Sequence, residues 1–360
     1  MIGPDWLDET ALAGALTWQP TVSSWYGGQW LADIPVESGQ VTWSTRSEVP
    51  GVLNLTVPRL SAGRDWSPGR DETHPLARMG QELVVTLTVG SPVSGRSWAR
   101  RLGRLLIVST ETVGGTVRVL ARSLTQRLED DRLTGPMPIR AGATFASEAR
   151  RIIPPRLGLI ATGLTDRPAP QITWGESRIE ALQEIARAWP ARLRETAEGQ
   201  IALLPPLPTT PTPVVVLRDG EGGTVVGAPR TSTREGVYNR LVVRGTDSDD
   251  SGRPTVQVVH DHTVGALATH GEYGTVTRFF SSPLITTYAA ADATARTMLA
   301  DSLRPSTTLP VTLAPDPRLE LDDPVRVITE DGDDAGFISG LTIPLTINDG
   351  DLRIDVEVGA

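Results

Sequence analysis

The chain has 360 residues, 39% of them hydrophobic, enough to bury real cores and to fill two or three domains. Its formal net charge is -9 and every basic position is Arg, a balance that does not gather nucleic acid, because phosphate binding rests on cationic side chains neutralising charge. With no cysteine, a disulfide framework and thiolate metal sites are excluded.

Residues 1–35 read as an N-terminal arm. They carry acidic residues where a secretory signal would be basic, and no apolar run in the chain approaches the length that spans a bilayer. A soluble protein made in a cytoplasm is expected.

Strands follow. Val41, Trp43 and Thr45 alternate with period two, as do Leu53, Leu55 and Val57, and then Leu83, Val85, Leu87 and Val89. Between the last two sets, Ser61 to Gly80 is dense in Gly, Pro and charge and reads as a long surface excursion. RLLIVSTETV runs to Gly114-Gly115 and returns as TVRVLARS, the paired glycines supplying the positive φ of a two-residue turn. Residues 36–135 are therefore expected to form an antiparallel sheet or small barrel.

A helical middle, residues 136–230 with its approach, comes next. Ser123 is placed to cap a short turn through Leu124 and Leu128, and Thr144 to start a helix with Phe145, Ala149 and Ile152 on one face. Ser177-Arg178-Ile179-Glu180 is a capping box; Ile179, Leu182, Ala186 and Trp189 sit at helical spacing, and Pro190 stops the helix. Ala191 and Leu193 alternate up to Ala197-Glu198-Gly199, and Ile201 and Leu203 come back, so a helix and hairpin form a compact α+β insert. Pro205 to Pro213 cannot join a central ladder and reads as an extended linker.

Residues 231–305 hold the strand word YNRLVVRG and a helix from about Ala289 to Leu303 carrying Ala293, Met298 and Leu299 before Pro305. Residues 306–360 close the chain with VTLAPD, PVRVIT, GFISGLTIPL and LRIDVEV, alternating strands separated by acidic turns. The fold class is mainly β with α+β insertions.

Candidate chemistry is sparse. His260-Asp261-His262 on a strand would place two rings on one face, but two ligands are too few, and His270 lies beyond Gly265; His74 stands apart in the excursion. Asp247-Ser248-Asp249-Asp250-Ser251-Gly252 fits the first six places of a calcium loop, yet Val258 stands where the bidentate acid is required. It reads as a solvated turn, as does Asp331-Gly332-Asp333-Asp334. Glu176, Glu180 and Glu184 share a helix face opposite the apolar stripe, which supplies no cleft for acid–base work. No nucleophile elbow, zinc-protease motif, Walker loop or dinucleotide fingerprint occurs, so no catalytic, metal or cofactor site is expected. Trp18, Trp25, Trp30 and Trp43 cluster early, a pattern shared by sugar-binding grooves, barrel cores and subunit interfaces.

The order of parts resembles the baseplate hub or tail-tip proteins of tailed bacteriophages, often called minor tail proteins. It is carried by GRLLIVSTETVGGTVRVLARSLTQRLEDDRL, ESRIEALQEIARAWPARLRETAEGQIALLPP, VYNRLVVRG, FFSSPLITTYAAADATARTMLADSL and LAPDPRLELDDPVRVITEDG, from about Val36 onward. Where the resemblance leads one to expect Gly-Asp before PVRV, this chain has Asp322-Asp323, a departure that bears on the tightness of that turn.

The resemblance implies two β-barrel domains similar to the tail-tube protein, one near each end of the chain, with the small helix-hairpin domain between them as an accessory. It implies a homotrimer whose six barrels adapt a sixfold tube to a threefold tip, an acidic lumen through which DNA slides unbound, and a place in the virion tail tip. The implied partners are the tail tube or distal tail protein ring, the tape measure protein and other tail-tip proteins, with no specific nucleic-acid binding and no membrane-spanning segment. Some tail-tip proteins add a peptidoglycan-cleaving domain; the chain ends at Ala360 directly after the last strands, so no enzyme is expected. A host-surface carbohydrate-binding module, drawing on the tryptophans including Trp66, and the hub of a related contractile secretion system are the alternatives.

Overall fold

The computed structural model describes the chain except residues 1–2, 9–10, 13, 15, 170–171, 209, 231–236, 247–253, 283–284, 286, 304–306 and 359–360. It is mainly β with helical insertions, and divides into two compact units: Met1–Pro229 with Pro310–Val356, and Arg230–Leu309 with Glu357–Ala360.

In the first unit, strands β1 (Thr17–Tyr26), β2 (Gln29–Ile34), β3 (Ser38–Ser44), β4 (Gly51–Pro58), β5 (Glu82–Ser91), β6 (Arg96–Val113) and β7 (Thr116–Ser123) come first. The period-two alternation is physical: Val41, Leu53, Leu55, Val57, Leu83, Val85, Leu87 and Val89 are all fully buried on one face. The residues read as an arm include β1 and β2, whose register runs from Val22↔Ile34 to Tyr26↔Gln29 and which extend the sheet through β1 on β5. Of the paired glycines between β6 and β7, Gly114 alone takes positive φ, at 58°.

The insert then builds its own core. Helices α1 (Gln126–Asp130), α2 (Phe145–Ile152) and α3 (Arg178–Ala188) surround β8 (Leu159–Ala161), β9 (Arg192–Glu195) and β10 (Ile201–Leu204). β9 and β10 are the expected hairpin; β8 adds a parallel neighbour to β10 that no alternation announced. Leu128, Ile152, Trp174, Ile179, Leu182 and Ile185 form the center of this core, each under 2% exposed. Ser123 does not cap α1: it lies in β7, and its Oγ accepts from the Gly51 N–H. Ser177 Oγ accepts from the Glu180 N–H at 3.2 Å to start α3, while the full reciprocal capping box forms instead between Thr144 and Ser147 at α2.

β11 (Val215–Arg218) and β12 (Val225–Gly227) follow the proline-rich segment, and, after three strands of the second unit, β16 (Thr307–Leu313), β17 (Pro324–Thr329), β18 (Gly332–Pro344) and β19 (Leu352–Val358) end the chain. These terminal strands do not stand apart from the first seven. The 13-stranded sheet has the order β12-β16-β19-β18-β3-β4-β7-β6-β5-β1-β2, with β11 and β17 joined to it through β18. The junction is β18 on β3, where Leu341 faces Trp43 and Ile343 faces Val41. The acidic turn read at Asp331 to Asp334 is tighter than expected: Gly332 to Asp334 already pair with β17, and Asp333 holds Arg326.

The second unit is a three-stranded sheet, β14 (Gln257–Asp261), β13 (Arg240–Arg244) and β15 (Thr277–Ser281), covered by α4 (Tyr288–Leu303). The helix buries Ala291, Ala295 and Leu299, spaced by four, whereas Ala293 is exposed.

Candidate functional site

The residues singled out for chemistry do not converge. His260 Nε2 lies 2.7 Å from Asp292 Oδ1 on α4, and Asp292 also takes Arg296; the His260 hydrogen bond first, and the Arg296 charge after it, hold the carboxyl below its ordinary range. His262 follows the end of β14, and His270 is exposed in the loop beyond. Among the described residues no set of three or more His, Asp or Glu side chains is placed to hold a metal ion. The sequence Asp247 to Gly252 lies outside the described residues. Glu176 and Glu180 are exposed; Glu184 is half-buried, and burial pushes its carboxyl up, with Arg187 pulling it down.

The early tryptophans separate into two kinds. Trp43 is buried and donates from Nε1 to the Leu102 carbonyl, and Trp18 donates to the Pro344 carbonyl, so both tie strands together. Trp25 and Trp30 are cross-strand partners near the tip of the β1–β2 hairpin, and Trp30 is 54% exposed beside Tyr26 at 50%. β2 is the last strand of the sheet order, so this aromatic hairpin stands at a sheet edge. Trp66, by contrast, is 6% exposed and presents no open ring in the excursion.

What the chain does bring together is a set of ionic joints that brace the insert on the sheet. Asp322, at the turn before β17, receives Arg192 and both Nε and Nη2 of Arg194, the latter two at 2.7 and 2.9 Å. Burial lowers the Arg192 guanidinium, and Asp322 opposes that shift. Glu82 of β5 bridges Arg104 and Arg127, linking the sheet to α1. Glu195 of β9 accepts from the Leu124 N–H, the Thr125 N–H and the Thr125 hydroxyl at 2.8, 2.8 and 2.6 Å. It thereby caps α1 from a distant strand; burial raises its carboxyl and these hydrogen bonds pull it back down. A further joint lies outside the insert: Arg100 of β6, nearly engulfed, donates to the Pro317 and Leu319 carbonyls and pairs with Glu320.

None of these joints was read from the sequence, because each unites residues more than 20 positions apart. One signal was present: Asp322 stands where Gly was expected, and it adopts φ +68°. The turn is tight after all.

This architecture, a long sheet joining both ends of the chain with a braced α+β insert, is the fold of phage tail proteins. The tail protein of Neisseria meningitidis superposes with a TM-score of 0.65 at 15% identity over 95% of this chain and 97% of that one. The 43 kDa tail protein of prophage MuSo2 from Shewanella oneidensis gives 0.64 at 16% identity over 94% and 98%. Prophage tail protein gp18 of Listeria monocytogenes gives 0.54 at 11% identity over 94% of both. No sequence family and no curated protein matches the chain. Among the described residues, no helix is long and apolar enough to cross a membrane.

Proposed function

We propose that the chain is a structural hub protein at the distal end of a phage tail, forming a trimeric ring that adapts the sixfold tube to a threefold tip and lets DNA pass. The observation that carries this reading is the end-to-end likeness to two tail proteins, one of them from a prophage, at TM-scores of 0.65 and 0.64, each covered over at least 97% of its own length. Within each chain, residues 36–135 and 306–360 contribute the two tube-like barrels, and the insert braced by Asp322, Glu82 and Glu195 is the accessory domain that meets neighbouring tail proteins. The net charge of -9 suits a lumen that repels the phosphate backbone. The protein acts in the virion tail tip with the tube or distal ring and the tape measure protein as partners.

Light scattering on purified protein, with negative-stain images of the same sample, tests the ring. A threefold particle is expected; a monomer that also fails to join assembling tails overturns the reading. As a structural component it performs no hydrolysis, so purified protein incubated with peptidoglycan should release no soluble fragments.

The exposed Trp30 and Tyr26 favour a second reading, a host-surface carbohydrate-binding module. Reproducible signals on a glycan array that vanish in Trp30→Ala would establish it; a blank array removes it.

A further inference from the structure

The segment 61–80 is a folded loop with a small core of its own. Trp66, Leu76 and Ala77 are buried in it, and the ring of His74, 8% exposed, meets the Trp66 ring edge to face with centroids 6.3 Å apart. The loop is fastened at three places. Ser24 Oγ of β1 donates to the Pro75 carbonyl at 2.6 Å, Gln81 Nε2 donates to the Glu72 and His74 carbonyls, and the Ser67 and Thr112 hydroxyls meet at 2.8 Å.

The state of His74 is fixed by one bond. Its Nδ1 accepts from the Leu76 N–H at 3.1 Å, which only an unprotonated nitrogen can do, so the ring is neutral with its proton on Nε2. That Nε2, and Nε1 of Trp66, are buried without a hydrogen-bond partner of normal geometry among the described residues. We propose that His74 is an acid-sensitive latch: protonation of its imidazole breaks the Leu76 bond, opens the loop 61–80 and uncovers Trp66 and Leu76, while the sheet beneath stays folded.

The charged groups facing the ring are Asp65, Asp71 and Arg64. Both carboxylates favour the cation, as does the nearby Asp65 carbonyl, but the carboxylates are engaged elsewhere: Asp71 accepts from the Thr73 N–H and hydroxyl, and Asp65 from Ser67 N–H and Arg59. Arg64, whose guanidinium lies 4.5 Å over the Trp66 ring, opposes the cation. Burial outweighs the attractions and holds the imidazole below its ordinary 6.5. The open loop therefore binds the proton more tightly than the closed one, and the closed loop loses stability as pH falls below 6.5.

Hydrogen–deuterium exchange on the full chain at pH 7.5, 6.5 and 5.5, corrected for intrinsic rates, reads the latch directly. Protection of amides in 61–80 should fall by up to about tenfold per pH unit below the free imidazole value while β5 stays protected. Asp65 and Asp71 are held below the ordinary carboxylate range and do not titrate in this window. His74→Asn, whose amide oxygen can still accept from Leu76 but does not titrate, should give a flat profile. Protection that is independent of pH in the wild type, or an equal fall in His74→Asn, overturns the proposal. Should that variant not fold, an equal fall in β5 and in 61–80 of the wild type overturns it, and a fall confined to 61–80 supports it.

Discussion

Asp322 holds a left-handed backbone at φ +68°, a conformation that costs an ordinary L-residue about 1 kcal/mol or more and glycine almost nothing. The carboxylate offsets that cost by receiving two guanidinium groups from β9, which glycine could not do. Asp322→Ala should therefore destabilise the protein by about 3 kcal/mol, and Asp322→Gly by about 1 kcal/mol less, since it relieves the strain while losing the same partners. Urea denaturation of both variants checks the order; equal losses would mean that the backbone is not strained. Asn239 makes a comparable case in the second unit. Fully buried, it donates to the Leu267 and Gly274 carbonyls and accepts from the Val276 N–H, pinning the loop between β14 and β15. Asn239→Leu, which leaves those groups unpaired, should cost about 2–4 kcal/mol and increase amide exchange in residues 262–276. The word YNRLVVRG was legible as a strand, but nothing local says that its asparagine is a hub of hydrogen bonds.

At the scale of elements, what could be read was what repeats over short distances. The α2 start at Thr144 and the α3 stop at Pro190 follow from capping chemistry and from proline's missing N–H, both local effects. Thr144→Ala should cost about 1 kcal/mol in a denaturation experiment, and a loss below a few tenths would show that the box contributes little. The cap of α1 could not be read, because it comes from Glu195, 70 residues on. Replacing that carboxylate with an amide keeps one acceptor oxygen and turns the other into an NH2 group set against either the Leu124 N–H or the Thr125 N–H and hydroxyl, so Glu195→Gln should destabilise by about 1–3 kcal/mol. The wild-type carboxyl, raised by burial, binds its proton more tightly folded than unfolded. Its contribution is full below the ordinary 4.5 and is lost as pH rises through the raised value, opposite in sign to the His74 effect. In the excursion 61–80, Gly, Pro and charge mark the loop that the structure has, but they do not reveal that Trp66 and His74 fold inward, because that too rests on contacts beyond the local chain.

For the whole molecule, the decisive feature is that strands from both ends share one sheet. β18 covers β3, so removing residues 310–360 would bare the edge that carries Val41 and Trp43. A truncated chain ending near residue 230 should therefore aggregate on expression; a soluble, monomeric fragment with native strand content by circular dichroism would argue against that dependence. The amino-acid sequence alone determined the strand alternation, the insert's helix and hairpin, the α4 span and the lack of any motif for catalysis, because periodicity, capping and turn chemistry act within a few residues. Only the tertiary structure decided that β1 and β2 belong to the sheet, that β18 meets β3, and that Asp322, Glu82 and Glu195 brace the insert. Those contacts join residues tens to hundreds of positions apart, and their free energy comes from burial and charge pairing that exist only once the chain has folded.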